Sequence, residues 1–398
     1  MKTEKEVSKM FLINGKYLDQ DFRLAAGDVE IDGGRILRAG KDLARKPEDI
    51  AVDMAGYTIV PGFVDVHIHG CAGVDICDGT PEAIREMSRF LLARGVTSFC
   101  PTTMTVERET IEQALLAAKA CMDEPTPDGS KVAGVNMEGP FISKERKGAQ
   151  NEADIVAPDF QMFREMFGLC GGIVRLVDVA PEQPGGEDFV KKAKELCTVS
   201  IAHTVSGYDE AKTAFDWGVT HATHLFNAMS GLHHRNPGVV GAVLDDGRVR
   251  GELICDGQHI HPAVLRTAFA LLGDRALIVS DSMRANGMPE GTAFDLGGQM
   301  VTVRGGKATL EDGTIAGSVT NLHQEIKNLV SFGVSFERAV KSATLIPARA
   351  IGLDGEIGSI APGKAADLVV LDENLEIVSV LVSHGKSTQM LTFGGEAE

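Results

Sequence analysis

Short apolar runs rich in β-branched residues alternate along this chain with longer stretches in which apolar positions recur every three or four residues. The short runs predict strands at 59–69, 98–103, 132–138, 173–179, 199–203, 220–225, 251–256 and 276–281. The longer stretches predict helices at 81–94, 108–122, 159–169, 188–197, 209–217 and 262–272, with Pro or Asp near several starts and Gly after several ends. Strand–helix units repeated in this way over roughly 300 residues predict an α/β fold, a (β/α)8 TIM barrel with its active site at the carboxyl ends of the strands. No Gly-x-Gly-x-x-Gly follows the first strand, so a doubly wound nucleotide fold loses its main support.

The two ends of the chain have another texture. Residues 10–57 and 357–385 alternate short β-like runs with Asn-Gly, Asp-Gly-Gly and Ala-Gly turns, and neither part could bury its apolar face alone. The expectation is a small β-sandwich domain formed by both chain termini, residues 1–57 and 356–398, beside a barrel spanning 58–355. Residues 284–317 are Gly-rich and polar and too long for a tight turn after the last barrel strand. A lid or small hairpin over the site and a passive surface excursion both fit them.

Candidate chemistry collects at the predicted strand ends. Val64-Asp65-Val66-His67-Ile68-His69 places two histidines one residue apart, and strand alternation sends both to one side, where they can share a metal ion. Asn136-Met137-Glu138-Gly139-Pro140-Phe141, Ile201-Ala202-His203, His221-Ala222-Thr223-His224 and Ser280-Asp281 each put a further ligand type at such an end.

Composition narrows the function classes. The 398 residues are 43% apolar, enough to fill a core of enzyme size. Seven cysteines without a Cys-x-x-Cys fit reduced thiols, and the charged start Met1-Lys2-Thr3-Glu4-Lys5-Glu6 lacks a signal-type apolar stretch; together they predict a cytoplasmic protein. A formal net charge of −17 argues against binding to nucleic acid or to an acidic membrane, so an anionic substrate must meet a local cationic pocket.

The Pro61-Gly62-Phe63-Val64-Asp65-Val66-His67-Ile68-His69-Gly70 segment, the paired termini and the later His, His and Asp residues resemble the amidohydrolase superfamily. Within it, the segments 136–141, 221–229, Asn236-Pro237-Gly238, Asp256-Gly257-Gln258-His259 and 280–287 resemble the N-acetylglucosamine-6-phosphate deacetylases, over about residues 14–371. The resemblance implies a metal-dependent hydrolase that removes the N-acetyl group of an amino-sugar phosphate, working as a homodimer. The galactosamine epimer, or another small amide, stands as the alternative substrate. A dihydroorotase-like enzyme would carry a bridging lysine where this chain has Glu138, and a catalytically dead barrel would not keep every ligand type.

Amide hydrolysis benefits from a cation that acidifies water and polarises the carbonyl, and imidazole with carboxylate ligands suits Zn2+ or Fe2+. Glu138, His203 and His224 come from three separate strands and leave a position open for water; by resemblance this site is always filled in the family. His67 and His69 could hold a second ion bridged by Glu138, giving one or two ions per subunit. Taken singly, His203 and His224 would read as hydrogen-bonded core histidines; as members of a set of strand-end groups they read as ligands. Asp281 is the expected general base, taking a proton from water and returning it to the departing amine. The other reading of Asp281, a helix N-cap, is weakened because 282–287 looks like loop. The resemblance assigns the substrate phosphate to Asn227, the backbone amide of Ala228, His259 and Arg235, with Arg235 reaching a neighbouring subunit's site. Gln150 stands where the family often has histidine; it can donate a hydrogen bond to substrate but cannot shuttle a proton. His221 and His261 are expected to be structural, and His323 and His384 to be solvated.

Overall fold

The computed structural model describes residues 2–7, 9–296, 299–304, 307–310 and 313–393. Among them, a parallel barrel is built from β1 (Phe63–Ile68), β2 (Val96–Thr103), β3 (Val135–Met137), β4 (Val174–Val179), β5 (Thr198–Ile201), β6 (His221–Ala222), β7 (Arg250–Leu253) and β8 (Ala276–Ile278). The strands pair in chain order. The ring closes just past β8, where the Asp281 amide donates to the His67 carbonyl at 2.9 Å and Ser282 bridges Ile68.

The covering helices are α1 (Pro81–Leu92), α2 (Arg108–Asp123), α3 (Phe160–Leu169), α4 (Gly186–Ala193), α5 (Tyr208–Trp217), α6 (Gly238–Asp245), α7 (Pro262–Leu272) and α8 (Leu322–Ser331). Their starts follow ordinary capping chemistry. Thr80 accepts from Ala83 N–H ahead of Pro81, and Asp159 accepts from the Gln161 and Met162 amides. α1 buries Ala83, Ile84, Met87, Leu91 and Leu92 at helical spacing against the barrel. The sequence pattern misses α6 because that helix is apolar all round, with Gly238–Val243 wholly buried and no polar face to reveal a period. The helix expected at 188–197 starts and ends earlier, at Gly186 and Ala193.

The run expected as one strand, 59–69, divides at Gly62. Thr58–Pro61 pairs with Lys9–Leu18 and Leu368–Leu371 in the sheet of the chain termini, and only Phe63–Ile68 enters the barrel. A side chain at Gly62 would collide with Thr97, since its Cβ would lie 2.2 Å from Thr97 Oγ1. The terminal sheet holds nine strands among the described residues, drawn from both ends of the chain. Its last strand, Arg35–Gly40, bridges back to Ala365, so the sheet folds over a core of its own that includes Leu12, Val29, Ile31, Ile59, Leu368 and Leu381.

The excursion after β8 is neither a single hairpin nor a passive loop. It is a four-stranded antiparallel sheet, Ala293–Leu296, Gln299–Arg304, Lys307–Leu310 and Ile315–Gly317. Val301, Val303 and Ala308 pack on Met104, Met283 and Ala285, which seats the sheet over the carboxyl ends of the barrel strands. Among the described residues, no helix is long and apolar enough to cross a membrane, and all seven cysteines are free.

Candidate metal centre

Several strands end with their last side chains turned out of the ladder and into the mouth of the barrel. The strands expected at 220–225 and 276–281 shorten to His221–Ala222 and Ala276–Ile278, and the residues beyond them bend inward. His203, His224 and Asp281 adopt left-handed backbone angles, with φ of +42°, +30° and +45°. Such conformations are costly for residues with a Cβ and persist only where surrounding structure holds them. Here the His224 amide is bound by Glu252 and the Asp281 amide by the His67 carbonyl.

The bends bring four imidazole Nε2 atoms together around two carboxylates. Glu138 Oε1 lies 3.0 Å from His203 Nε2 and 2.9 Å from His224 Nε2, while Glu138 Oε2 lies 3.2 Å from His69 Nε2. Asp281 Oδ1 is 3.4 Å from His67 Nε2 and 3.3 Å from His69 Nε2. Two ligand groups result, His67/His69/Glu138 and Glu138/His203/His224, all buried and sharing one glutamate.

The outer nitrogens of His203, His69 and His67 settle which of their ring atoms are free. His203 Nδ1 donates to the Arg146 carbonyl at 2.7 Å, His69 Nδ1 to the Thr102 carbonyl at 3.0 Å, and His67 Nδ1 to Glu252 Oε2 at 3.0 Å. Each of these contacts leaves the Nε2 lone pair aimed inward. His203 and His224 Nε2 stand 3.1 Å apart, so a proton or a cation must lie between or beside them. The donor set therefore fits a divalent metal ion.

Electrostatics point the same way. Burial works against charge on Glu138, but His203, His224 and His69 hold its carboxyl well below the usual range. Burial likewise opposes ionisation of Asp281, and His69 and His67 outweigh it. Burial alone would lower the His67 pKa; Glu252, Asp281 and Glu138 overcome that and raise it to about 10. Without a metal ion, protons would take the place of a cation among these groups.

The centre opens into a cavity of about 350 Å³ lined by His69, Glu138, His203, His224, Asp281 and Gln150, with Asn227, Ala228 and His259 on one wall and Ile315–Gly317 of the inserted sheet on another. His259 Nδ1 is held by Asp256 Oδ2 at 2.7 Å, which leaves Nε2 for the cavity. Arg235 lies outside this wall, on an exposed loop beside the mutually tilted rings of His233 and His234. Gln150 is committed at both ends of its amide. Its Oε1 accepts from the Thr105 amide at 2.8 Å and its Nε2 donates to Glu138 Oε2 at 2.6 Å, so it orients a ligand while lining the cavity. His323 and His384 are not solvated as expected: His323 Nε2 donates to the Leu375 carbonyl at 2.6 Å, and His384 Nε2 is buried. His261 caps α7, and His221 Nε2 donates to Glu252 at 2.9 Å.

Glu252 escaped the sequence reading, although the signal was present: one carboxylate inside the apolar run Gly251-Glu252-Leu253-Ile254-Cys255. A charge there needs partners, and it has three donors in His67, His221 and the His224 amide.

A parallel barrel with histidine and carboxylate ligands converging at its carboxyl end defines a metal-dependent hydrolase class. The amidohydrolase family profile matches residues 58–391, and the chain belongs to that family. Its relatives are narrower in kind. It is 35% identical over 358 residues to N-acetylglucosamine-6-phosphate deacetylase of Bacillus subtilis (strain 168), spanning 88% of this chain and 90% of that protein. It is 34% identical over 326 residues to N-acetylgalactosamine-6-phosphate deacetylase of Escherichia coli O157:H7, spanning 81% and 86%. The fold matches the crystal structure of N-acetylglucosamine-6-phosphate deacetylase from Pasteurella multocida with a TM-score of 0.89 and 28% identity, covering 95% of this chain and 99% of that one. The resemblance drawn from the motifs is borne out.

Proposed function

We propose that this chain removes the N-acetyl group of N-acetylglucosamine 6-phosphate, giving glucosamine 6-phosphate and acetate. The observation that carries the reading is the convergence of four histidine Nε2 atoms on Glu138 and Asp281 at the mouth of the barrel. The likeness to deacetylases over most of the chain supports the substrate.

Glu138, His203 and His224 would hold one divalent ion, Zn2+ or Fe2+, and His67 and His69 together with Glu138 would hold a second. When bound, such a metal would supply the means to acidify water and polarise the acetamide carbonyl. Asp281, kept ionised by its histidine neighbours, takes the proton of the attacking water and delivers it to the departing nitrogen. Gln150 fixes Glu138 in register with both histidine pairs. Asn227, the Ala228 amide and His259 receive the phosphate on the far wall of the cavity. Arg235 completes that pocket from the neighbouring subunit of a homodimer; its exposed loop and its absence from the cavity wall of a single chain support this. We place the enzyme in the cytoplasm on its free thiols.

The reading is tested by acetate release from N-acetylglucosamine 6-phosphate, its galacto epimer and the unphosphorylated sugar, with metal measured on the same sample. Hydrolysis of the phosphorylated gluco substrate by metal-loaded protein is expected. Faster turnover of the galacto epimer would move the assignment to the other relative's substrate, and no release from any of the three would overturn it.

A further inference from the structure

We infer that Glu252 is the residue that makes a second ion possible, by tying the two halves of the centre together and supplying their outer negative charge. The inference rests on the two-ion reading above. Glu252 is wholly buried on β7. Its Oε2 accepts from His67 Nδ1 at 3.0 Å and from the backbone amide of His224 at 3.1 Å, and its Oε1 accepts from His221 Nε2 at 2.9 Å. Its own carbonyl accepts the Leu225 amide at 2.8 Å.

One carboxylate oxygen thus touches a ligand of each group, His67 in one and His224 in the other. Toward His67 the contact sets the tautomer and the ring plane, since only an Nδ1–H ring can present its Nε2 lone pair to a metal. Toward His224 it holds the peptide in the left-handed angle that aims the side chain. Charge adds a separate reason. Two divalent ions bring four positive charges, against two negative charges on Glu138 and Asp281 when the imidazoles are neutral. Glu252 supplies a third negative charge one hydrogen bond behind His67, so its loss should fall on the ion held by His67 and His69. The first ion keeps His203, whose ring is fixed independently by the Arg146 carbonyl, and keeps Glu138.

The test is a metal titration of metal-free protein with Zn2+, counted by elemental analysis after dialysis, and repeated with Co2+ so that visible absorption reports each equivalent in turn. Wild-type protein should take up two equivalents. Glu252→Gln keeps the size of the side chain and removes the charge; it should bind the first equivalent as the wild type does and the second about 10- to 100-fold more weakly. If that variant does not fold, Glu252→Asp keeps the charge but is too short to span His67, His221 and the His224 amide, and it should weaken the second ion more than the first, which keeps His203 and Glu138. Two equivalents bound with wild-type affinity by either folded variant would overturn the inference, and so would equal weakening of both ions, which marks a merely structural role. A wild type that binds one equivalent brings down the two-ion reading itself, and Glu252's assigned part with it.

Discussion

At the scale of single residues, charge and position divide the labour at the centre. Asp281 approaches the rings of His67 and His69 through one oxygen only, so removing its charge leaves every other ligand in place. Asp281→Asn should therefore retain metal and lose turnover by ~10²-fold or more, as expected when general acid–base help disappears. Near-normal turnover with full metal content would take the base role from Asp281. Changing His67 and His69 together to Ala should remove about one equivalent of metal and leave the Glu138/His203/His224 ion bound; a double variant with undiminished metal content would exclude a separate site at the pair. Protons compete for the same lone pairs. In the metal-free fold His67 is raised to about 10, so the stability it contributes is complete below the ordinary imidazole value of about 6.5 and is lost as pH rises through about 10. Near neutrality metal must displace that proton. Zn2+ added to metal-free protein in weak buffer should acidify the solution, and metal affinity should strengthen as pH rises toward 10. An affinity flat from mildly acid to mildly alkaline pH would contradict a protonated His67.

At the scale of elements, the strand ends and the inserted sheet shape the cavity. The barrel strands stop early so that His203, His224 and Asp281 can turn inward, and neighbouring backbone holds the strained angles. The inserted sheet is seated by a small apolar cluster of its own, Val301, Val303 and Ala308 on Met104, Met283 and Ala285, apart from the main core. A charge buried in that cluster should unseat the sheet without unfolding the barrel. Val301→Asp, costing on the order of 3 kcal/mol locally, should open a protease cut within 284–317 and raise KM, because Ile315–Gly317 no longer closes the cavity wall. Metal content should stay at the wild-type level. First cuts in the barrel, or loss of metal, would show that the sheet is part of the barrel's own stability.

At the scale of the whole molecule, both chain ends meet in one sheet whose strand Thr58–Pro61 runs directly into β1, so the terminal sheet anchors the strand that carries His67 and ends just before His69. Phosphate recognition is the second question at this scale. An acidic chain must concentrate its donors to hold a dianion, and within one chain Arg235 stands away from the cavity. Arg235→Ala should raise KM for the phosphorylated substrate by roughly one to two powers of ten, the equivalent of ~1.5–3 kcal/mol for a lost charge-assisted hydrogen bond. The unphosphorylated sugar should barely respond. Mixing Arg235→Ala with Asp281→Asn subunits should restore activity above the sum of the parents, since a shared pocket gives the heterodimer one intact site. No gain despite verified subunit exchange would return Arg235 to its own chain or to the bare surface.

The sequence by itself determined the barrel and the residue types at its mouth, because alternating strand and helix periods and His-x-His spacing are local properties. It also brought the chain ends into one β unit, since neither could bury an apolar face alone. The split at Gly62 was beyond it: 59–69 is one unbroken apolar run, and only the partners of each half decide which sheet it joins. The all-apolar α6 gave no period to read. The partners of Gln150 and Glu252 were settled by tertiary structure alone, as were the inward bends at His203, His224 and Asp281. The Gln150–Glu138 and Glu252–His67 contacts join residues 12 and 185 positions apart, and a hydrogen bond's length and direction are set by where the fold puts both groups.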